Sequence, residues 1–161
     1  MLIKKMKVSA SSIHGIGLFA DEDIKAGDVV WEYNPLTTQV FSKSKFYLVC
    51  QGLSLQAIGD LINFSYIKNN KIYYINDNTR FINHSTHPNI RFDNDNQEIA
   101  LRDISKGEEI TENYLQSYDE NDFFVSIDID QHQTIEELLF TLNKVLKQKT
   151  KSAILARARV M

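Results

Sequence analysis

Apolar and polar positions alternate over short stretches along most of this chain. Runs rich in β-branched and aromatic residues, each closed by Gly, Asn, Asp or Pro, predict strands. They fall at Met6–Ala10, Gly17–Ala20, Val29–Tyr33, Lys71–Asn76, Ile90–Phe92 and Glu98–Asp103. Helical periodicity is confined to two places. Between Ser54 and Phe64, Leu55, Ile58, Leu61 and Ile62 share one face. Between Gln133 and Lys149, the residues Ile135, Leu138, Leu139, Leu142, Val145 and Leu146 form one apolar stripe. Thr134 and Glu137 have the spacing of a capping box at the start of that helix, which is expected over about 134–148. Many short strands with few helices and no β-α-β alternation predict a mostly β, α+β fold of several small sheets with a C-terminal helix. They also exclude a doubly wound nucleotide-binding fold. The Gly15-x-Gly17 pair lacks the third glycine and the following helix that such a site needs.

One pattern occurs twice. Ala20–Val30 reads ADEDIKAGDVV and Ala100–Ile110 reads ALRDISKGEEI, both Ala-x-x-Asp-Ile-x-x-Gly-acid-x-apolar. The two copies are too short and too far apart for a solenoid. Each reads as one local device in which a strand ends, Asp and Gly make a turn, and an apolar strand resumes. Gly27 and Gly107 would supply the positive φ of that turn.

The length of 161 residues and an apolar content of 43% suit one domain with a real core. A net charge of −3 gives no global basic field, so direct nucleic-acid binding is not expected. Basic residues concentrate only in Lys144–Val160, which reads as a solvated helix end and tail. The single cysteine, Cys50, excludes a disulfide framework and a cysteine zinc cluster, and its apolar surroundings predict a buried small hydrophobe. No apolar run reaches membrane-spanning length, so no membrane partner is expected. A cytoplasmic location follows as the expectation.

The chemistry concentrates in four pieces: HGIGLFA (14–20), VVWEYN (29–34), NTRFINHSTHPN (78–89) and GEEITENY (107–114). A hydrolase reading of Asn83-His84-Ser85 fails, because neighbouring side chains on a strand point to opposite faces and His84 cannot serve Ser85 as a base. A metal site from His84, His87 and Asp93 is disfavoured by Pro88, which makes the segment a turn.

Taken in this order, over about Val8–Tyr118, the pieces resemble the SET-domain protein lysine methyltransferases. The resemblance rests on Gly-x-Gly-Leu-Phe, Arg-Phe-x-Asn-His-Ser-x-x-Pro-Asn and Gly-Glu-Glu-x-Thr-x-x-Tyr. It implies a β-clip-like fold in which the Asn-His-Ser segment passes beneath the Tyr-containing motif as a C-terminal pseudoknot. It also implies S-adenosylmethionine as cofactor and methyl transfer to a lysine ε-amine of a protein. His14, Gly15, Ile16, Gly17, Arg80, Asn83, His84 and Tyr114 would bind the cofactor. Tyr114 and Tyr33 would be catalytic, and Tyr33, Phe92, Glu112 and Tyr118 would line the lysine channel. Arg80 has a second reading as a structural ion-pair partner. Residues 1–118 would form the SET domain. Residues 119–161, with their amphipathic helix, would replace the zinc-binding module that follows the domain in many relatives. That helix packs either on its own chain or in a homodimer. The departures are Thr86 where relatives carry cysteine, and Glu112 where they carry Phe or Tyr; Glu112 either meets the lysine or points to solvent. The rival readings are a non-catalytic module that keeps the fold, and a methyltransferase with another acceptor. A bacterial or viral source fits a bare domain, with the host nucleus as the location for a secreted effector or viral protein. The substrate expected is a basic segment, histone-like or ribosomal.

One cysteine and the histidines His14, His84, His87 and His132 offer no closed tetrahedral set at plausible spacing. The purified protein should therefore carry no stoichiometric zinc, and chelators should leave it unharmed. Elemental analysis showing a zinc ion per chain would overturn this.

Overall fold

The computed structural model describes residues 1–93, 96–119, 123 and 127–148. In chain order the described elements are β1 (Met6–Ala10), β2 (Ile16–Ala20), β3 (Val29–Glu32), β4 (Thr38–Ser42), α1 (Lys43–Cys50), α2 (Leu55–Asn63), β5 (Ser65–Lys68), β6 (Lys71–Ile75), β7 (Asn83–His84), β8 (Ile90–Phe92), β9 (Gln97–Ala100), β10 (Thr111–Glu112), α3 (Tyr114–Ser117) and α4 (Ile135–Lys147). Short 3-10 turns occupy Asn78–Phe81 and Ile129–Gln131. The chain divides into two compact units, each with its own core. One comprises Met1–Gln39 and Ile75–Ser117; the other comprises Val40–Tyr74 and the chain from Tyr118 onward.

The first unit contains three small sheets: antiparallel β1–β2, antiparallel β3–β9–β8, and the parallel pair β7–β10. Its core is Leu18, Ala20, Ile24, Val30, Ile82, Ile90, Ala100, Ile104 and Ile110, with Leu2 and Met6 packed against it. Alternation is cleanest on β9, where Glu98 and Ala100 are buried while Gln97 and Ile99 are only half-buried.

The repeated motif proves to be two halves of one device. Ile24 and Ile104 exchange both backbone hydrogen bonds, each at 2.9 Å. The Gly27 N–H donates to the Ala100 carbonyl and the Gly107 N–H to the Ala20 carbonyl, both at 2.8 Å. The Ala26 N–H donates to the Asp103 carboxylate at 2.9 Å, and the Lys106 N–H to the Asp23 carboxylate at 2.8 Å. Each of these backbone bonds has its counterpart in the other copy, so each copy supplies the partners that the other's turn would leave unpaired. Gly27 and Gly107 sit at φ +85° and +91°, where a Cβ is strained.

The second unit carries the β4–β6–β5 sheet. Its β5–β6 hairpin turns on Asn69 and Asn70, both left-handed, and both of their N–H groups donate to the Asp119 carboxylate. Its core joins Phe46, Cys50, Ile58, Ile62, Ile67, Ile72 and Phe123 to Leu138, Leu142, Val145 and Leu146 of α4. The apolar stripe of α4 is thus covered by the unit's own residues, the packing in cis that the sequence left open. The capping box forms as expected: the Glu137 N–H donates to the Thr134 hydroxyl, and the Glu137 carboxylate accepts from the Thr134 N–H. Cys50 is fully buried, which pushes its thiol up to about 11.

The six expected strands agree to within three residues at their ends, whereas β4, β5, β7 and β10 are strands that the alternation did not predict. The expectation of only two helical regions is corrected, since α1 and the one-turn α3 are further helices. The α1 sequence, Lys-Ser-Lys-Phe-Tyr-Leu-Val-Cys, gathers its apolar residues in one run instead of spacing them by turns. What starts it is Ser42, whose hydroxyl accepts the Lys45 N–H.

A Cβ at Gly27 or Gly107 meets nothing within 4 Å, so the cost of Ala there is conformational alone. Gly27→Ala and Gly107→Ala should each lose about 1–2 kcal/mol, and Asn at either position should lose less, because Asn tolerates the left-handed region. Urea midpoints at constant slope check this, and Ala variants as stable as wild type would count against the turn reading.

Candidate active site

The chemistry-bearing residues of the first unit gather where Glu108–Glu112 is bonded on both sides. On one side lies β2: the Ala20 N–H donates to the Glu108 carbonyl at 2.9 Å, and the Ile110 N–H to the Leu18 carbonyl at 2.7 Å. Further along the same edge lies β7, parallel to β10, with Asn83 opposite Thr111 and His84 opposite Glu112. The Ser85 N–H donates to the Glu112 carbonyl at 2.9 Å.

A two-residue parallel pair is weak alone. Asn89 reinforces it. Asn89 is 1% exposed. Its backbone N–H donates to the Thr111 carbonyl at 3.1 Å, and its Oδ1 accepts the Thr111 N–H at 2.8 Å. Its Nδ2 donates to the Glu109 carbonyl at 2.7 Å and to the Glu108 carboxylate at 3.1 Å. The side-chain amide thus does the work of another strand. Arg102, first, then Asn89 and the Ser105 N–H hold the Glu108 carboxyl below the usual carboxylate range against the opposing effect of burial.

Asn83 sits at the head of β7. Its Nδ2 donates to the His14 and Ile16 carbonyls, both at 3.2 Å, and to Glu109 Oε1 at 2.8 Å. Three acceptors fix which end of the amide faces them, so the Asn83 oxygen is turned away. Gly15 lies between the two carbonyls at φ +46°, and a Cβ on it meets nothing within 4 Å. Gly17 is glycine for a different reason: a Cβ there would lie 2.3 Å from Glu109 Oε1.

Tyr114 begins α3, whose first turn is capped by Asn113. Its hydroxyl donates to the Ile82 carbonyl, and its N–H donates to His84 Nδ1 at 3.2 Å. Acceptance at Nδ1 puts the proton of neutral His84 on Nε2. The two rings are 5.3 Å apart. The structure therefore brings together His14, Gly15, Ile16, Gly17, Asn83, His84 and Tyr114. Arg80 lies in the 3-10 turn just before, its guanidinium 4.8 Å from the Phe81 ring centre.

The expected channel residues fall on separate elements. Tyr33 follows β3 and is exposed, its N–H donating to Asn96. Phe92 meets Trp31 edge-on at 5.8 Å. Tyr118 belongs to the second unit, where it stacks on Tyr66 at 4.4 Å. The reading of Glu112 as solvent-facing is corrected, since it is 1% exposed. Three residues escaped the sequence reading: Ser11, Glu109 and Asn89. Glu109 and Asn89 stand inside quoted motifs, whereas Ser11 lies outside them all, and no signal in the chain points to it.

Residues 15–115 match the SET domain family. The chain is 34% identical to the "Variant-silencing SET domain-containing protein" of Plasmodium falciparum, covering 75% of this chain and 5% of that protein. It is 31% identical to the "Histone-lysine N-methyltransferase, H3 lysine-4 specific" of Aspergillus oryzae, covering 69% of this chain and 10% of that protein. It thus spans no more than a tenth of the curated relatives it matches. Among solved structures, a humanized mutant of the Chaetomium thermophilum Polycomb Repressive Complex 2 superposes with a TM-score of 0.51 at 28% identity, over 71% of this chain and 15% of that one. "ctPRC2 in an autoinhibited conformation bound to S-adenosylmethionine" gives 0.52 at 25%, over 71% and 16%.

Asn89→Ala strands the Thr111 N–H and the Glu109 carbonyl in a buried place. It should cost roughly 2–4 kcal/mol, read from urea unfolding. A loss within experimental error of zero would show the β7–β10 pairing to be self-sufficient.

Proposed function

The chain belongs to the SET-domain family, and on that premise we propose that it is an S-adenosylmethionine-dependent protein-lysine N-methyltransferase. The observation that carries the reading is the convergence of Asn83, the His14 and Ile16 carbonyls and Tyr114 on the β7–β10 pair. The residues fit the cofactor by the chemistry of their donor set. The cofactor's amino-acid end presents an ammonium, and carbonyl and amide oxygens are what receives it. Gly15, with open space at its Cβ position, leaves the backbone approachable.

When bound, S-adenosylmethionine supplies the methyl group and the sulfonium leaving group. This chain's residues do the rest by placement. Tyr114 is held at both ends, by its hydroxyl on Ile82 and its N–H on His84, so its phenol oxygen has a fixed position from which to orient the incoming amine. That amine must arrive neutral, although a free lysine titrates near about 10.4. An apolar channel and a neighbouring positive sulfonium both favour the neutral form. Tyr33 and Phe92, beside Trp31, are the channel residues proposed in the first unit; Glu112 retains that role as part of the same proposal, as does Arg80 in contacting the cofactor.

The substrate is a protein carrying the target lysine in a basic segment, complementary to the chain's net charge of −3. Two of the relatives named above are a histone-lysine methyltransferase and a silencing protein, which favours a histone-like partner. The C-terminal segment stands in for a zinc-binding module, and its helix, covered in cis, supports a monomer. A cytoplasmic site of action, or a host nucleus for an effector, suits a chain whose one cysteine is buried and free. The relatives named are from eukaryotes, and no feature of the fold favours the bacterial or viral source expected from the sequence.

Tyr114→Phe removes one hydroxyl at constant ring volume. Turnover on a basic protein substrate should fall about 100- to 1,000-fold, while the cofactor Kd from calorimetry stays within about twofold. Mass spectrometry of the methylated lysine reads the rate, and wild-type turnover would sink the assignment.

A further inference from the structure

We propose that Glu109, together with Ser11, is a positioning device that sets the Asn83 amide and the His14–Ile16 carbonyls for the cofactor; the inference rests on the reading of the site given above. Ser11 Oγ donates to Glu109 Oε1 at 2.7 Å, with Oε2 at 2.9 Å, and accepts the Ile13 N–H at 2.9 Å and the His14 N–H at 3.4 Å. The Ser11 N–H donates to the Gly15 carbonyl at 3.0 Å and closes the turn. Ser11 is therefore the tie between the turn that presents the two carbonyls and the carboxylate that holds Asn83.

Glu109 reaches this place because of register. Phe19 pairs with Glu109 across β2, so Gly17 lies at the next position on the same face. Gly17 has no Cβ to offer, and the Glu109 carboxylate fills that space. The amide nitrogen of Asn83 has two hydrogens and three acceptors. The short bond to the carboxylate takes one hydrogen, and the two carbonyls share the other. A charged acceptor makes the stronger bond, so Glu109 decides the amide's orientation and thereby turns the Asn83 oxygen towards the ligand side. Glu109 itself touches neither substrate nor cofactor in this scheme.

The test uses the full chain, with S-adenosylhomocysteine as the binding probe. Glu109→Ala should raise its Kd about tenfold, and raise the KM for S-adenosylmethionine by a similar factor, with kcat at saturating cofactor held within about threefold. Glu109→Gln keeps one acceptor for Asn83 and should recover part of the loss. Gly17→Ala deletes no polar group but displaces the carboxylate, so it should reproduce the Glu109→Ala binding defect. The Asn83 side-chain amide of the cofactor-free protein should exchange faster with solvent in Glu109→Ala than in wild type. Wild-type Kd in a folded Glu109→Ala variant overturns the inference alone, as does a collapse of kcat at unchanged KM. Should wild-type protein fail to bind S-adenosylhomocysteine, the cofactor reading falls, and this inference falls with it.

Discussion

The first unit depends on one five-residue segment, Glu108–Glu112, having partners on both edges. β2 and then β7 take one edge, with bonds at Glu108, Ile110 and Glu112, and Asn89 takes the other, at Glu109 and Thr111. The residues so joined lie far apart in the chain, with Leu18 bonded to Ile110 and Asn83 paired to Thr111. Such long-range closure costs entropy before it returns contacts. Buried apolar residues offset it: Leu18 and Ile110 are fully buried and Ile82 nearly so, each contributing on the order of 1.5–3 kcal/mol. Break the double bonding and Asn83, His84 and Tyr114 no longer share a place.

The twin turns solve a related problem. A turn that leaves a strand exposes backbone groups on its inner side, and burial near Ile24 and Ile104, each 1% exposed, removes water as a partner. Placing two copies face to face satisfies both with one arrangement. The copies diverge only at the periphery, where Lys4 pairs with Asp28 in one and Arg102 with Glu108 in the other. Exposed pairs of this kind contribute little, which leaves their identities free to differ. The paired backbone bonds, not the ion pairs, make the device.

Most of this architecture was legible in the chain because strands and turns have local signatures. Met6–Ala10 and Ile90–Phe92 have bounds identical to those read from sequence, and α4 starts at its capping box. The α1 helix was not legible, since its apolar run lacks a helical period and only the Ser42 cap marks it. The partnership of the two Asp-Ile-Gly turns was not legible either: repetition showed their likeness, whereas their mutual pairing is a tertiary fact. The site divides in the same way. Asn83, His84 and Tyr114 announced themselves by motif, but Glu112, which could have faced either way on a strand, is buried by a neighbour that no local pattern reveals.

The atoms proposed to meet the cofactor explain why side-chain reasoning found only part of the site. Two of them, the carbonyls of His14 and Ile16, are main-chain atoms that every residue type carries. Substitution cannot remove them; it can only move them. Their position is set by what holds the backbone: the Ser11 turn, the bare Gly15, the close approach of Glu109 to Gly17, and the Asn89 amide that fixes Glu109's own strand. Specificity built this way resides in residues one step removed from the ligand. A His14 or Ile16 side-chain change, both being exposed, perturbs the site less than a single methyl group added at Gly17.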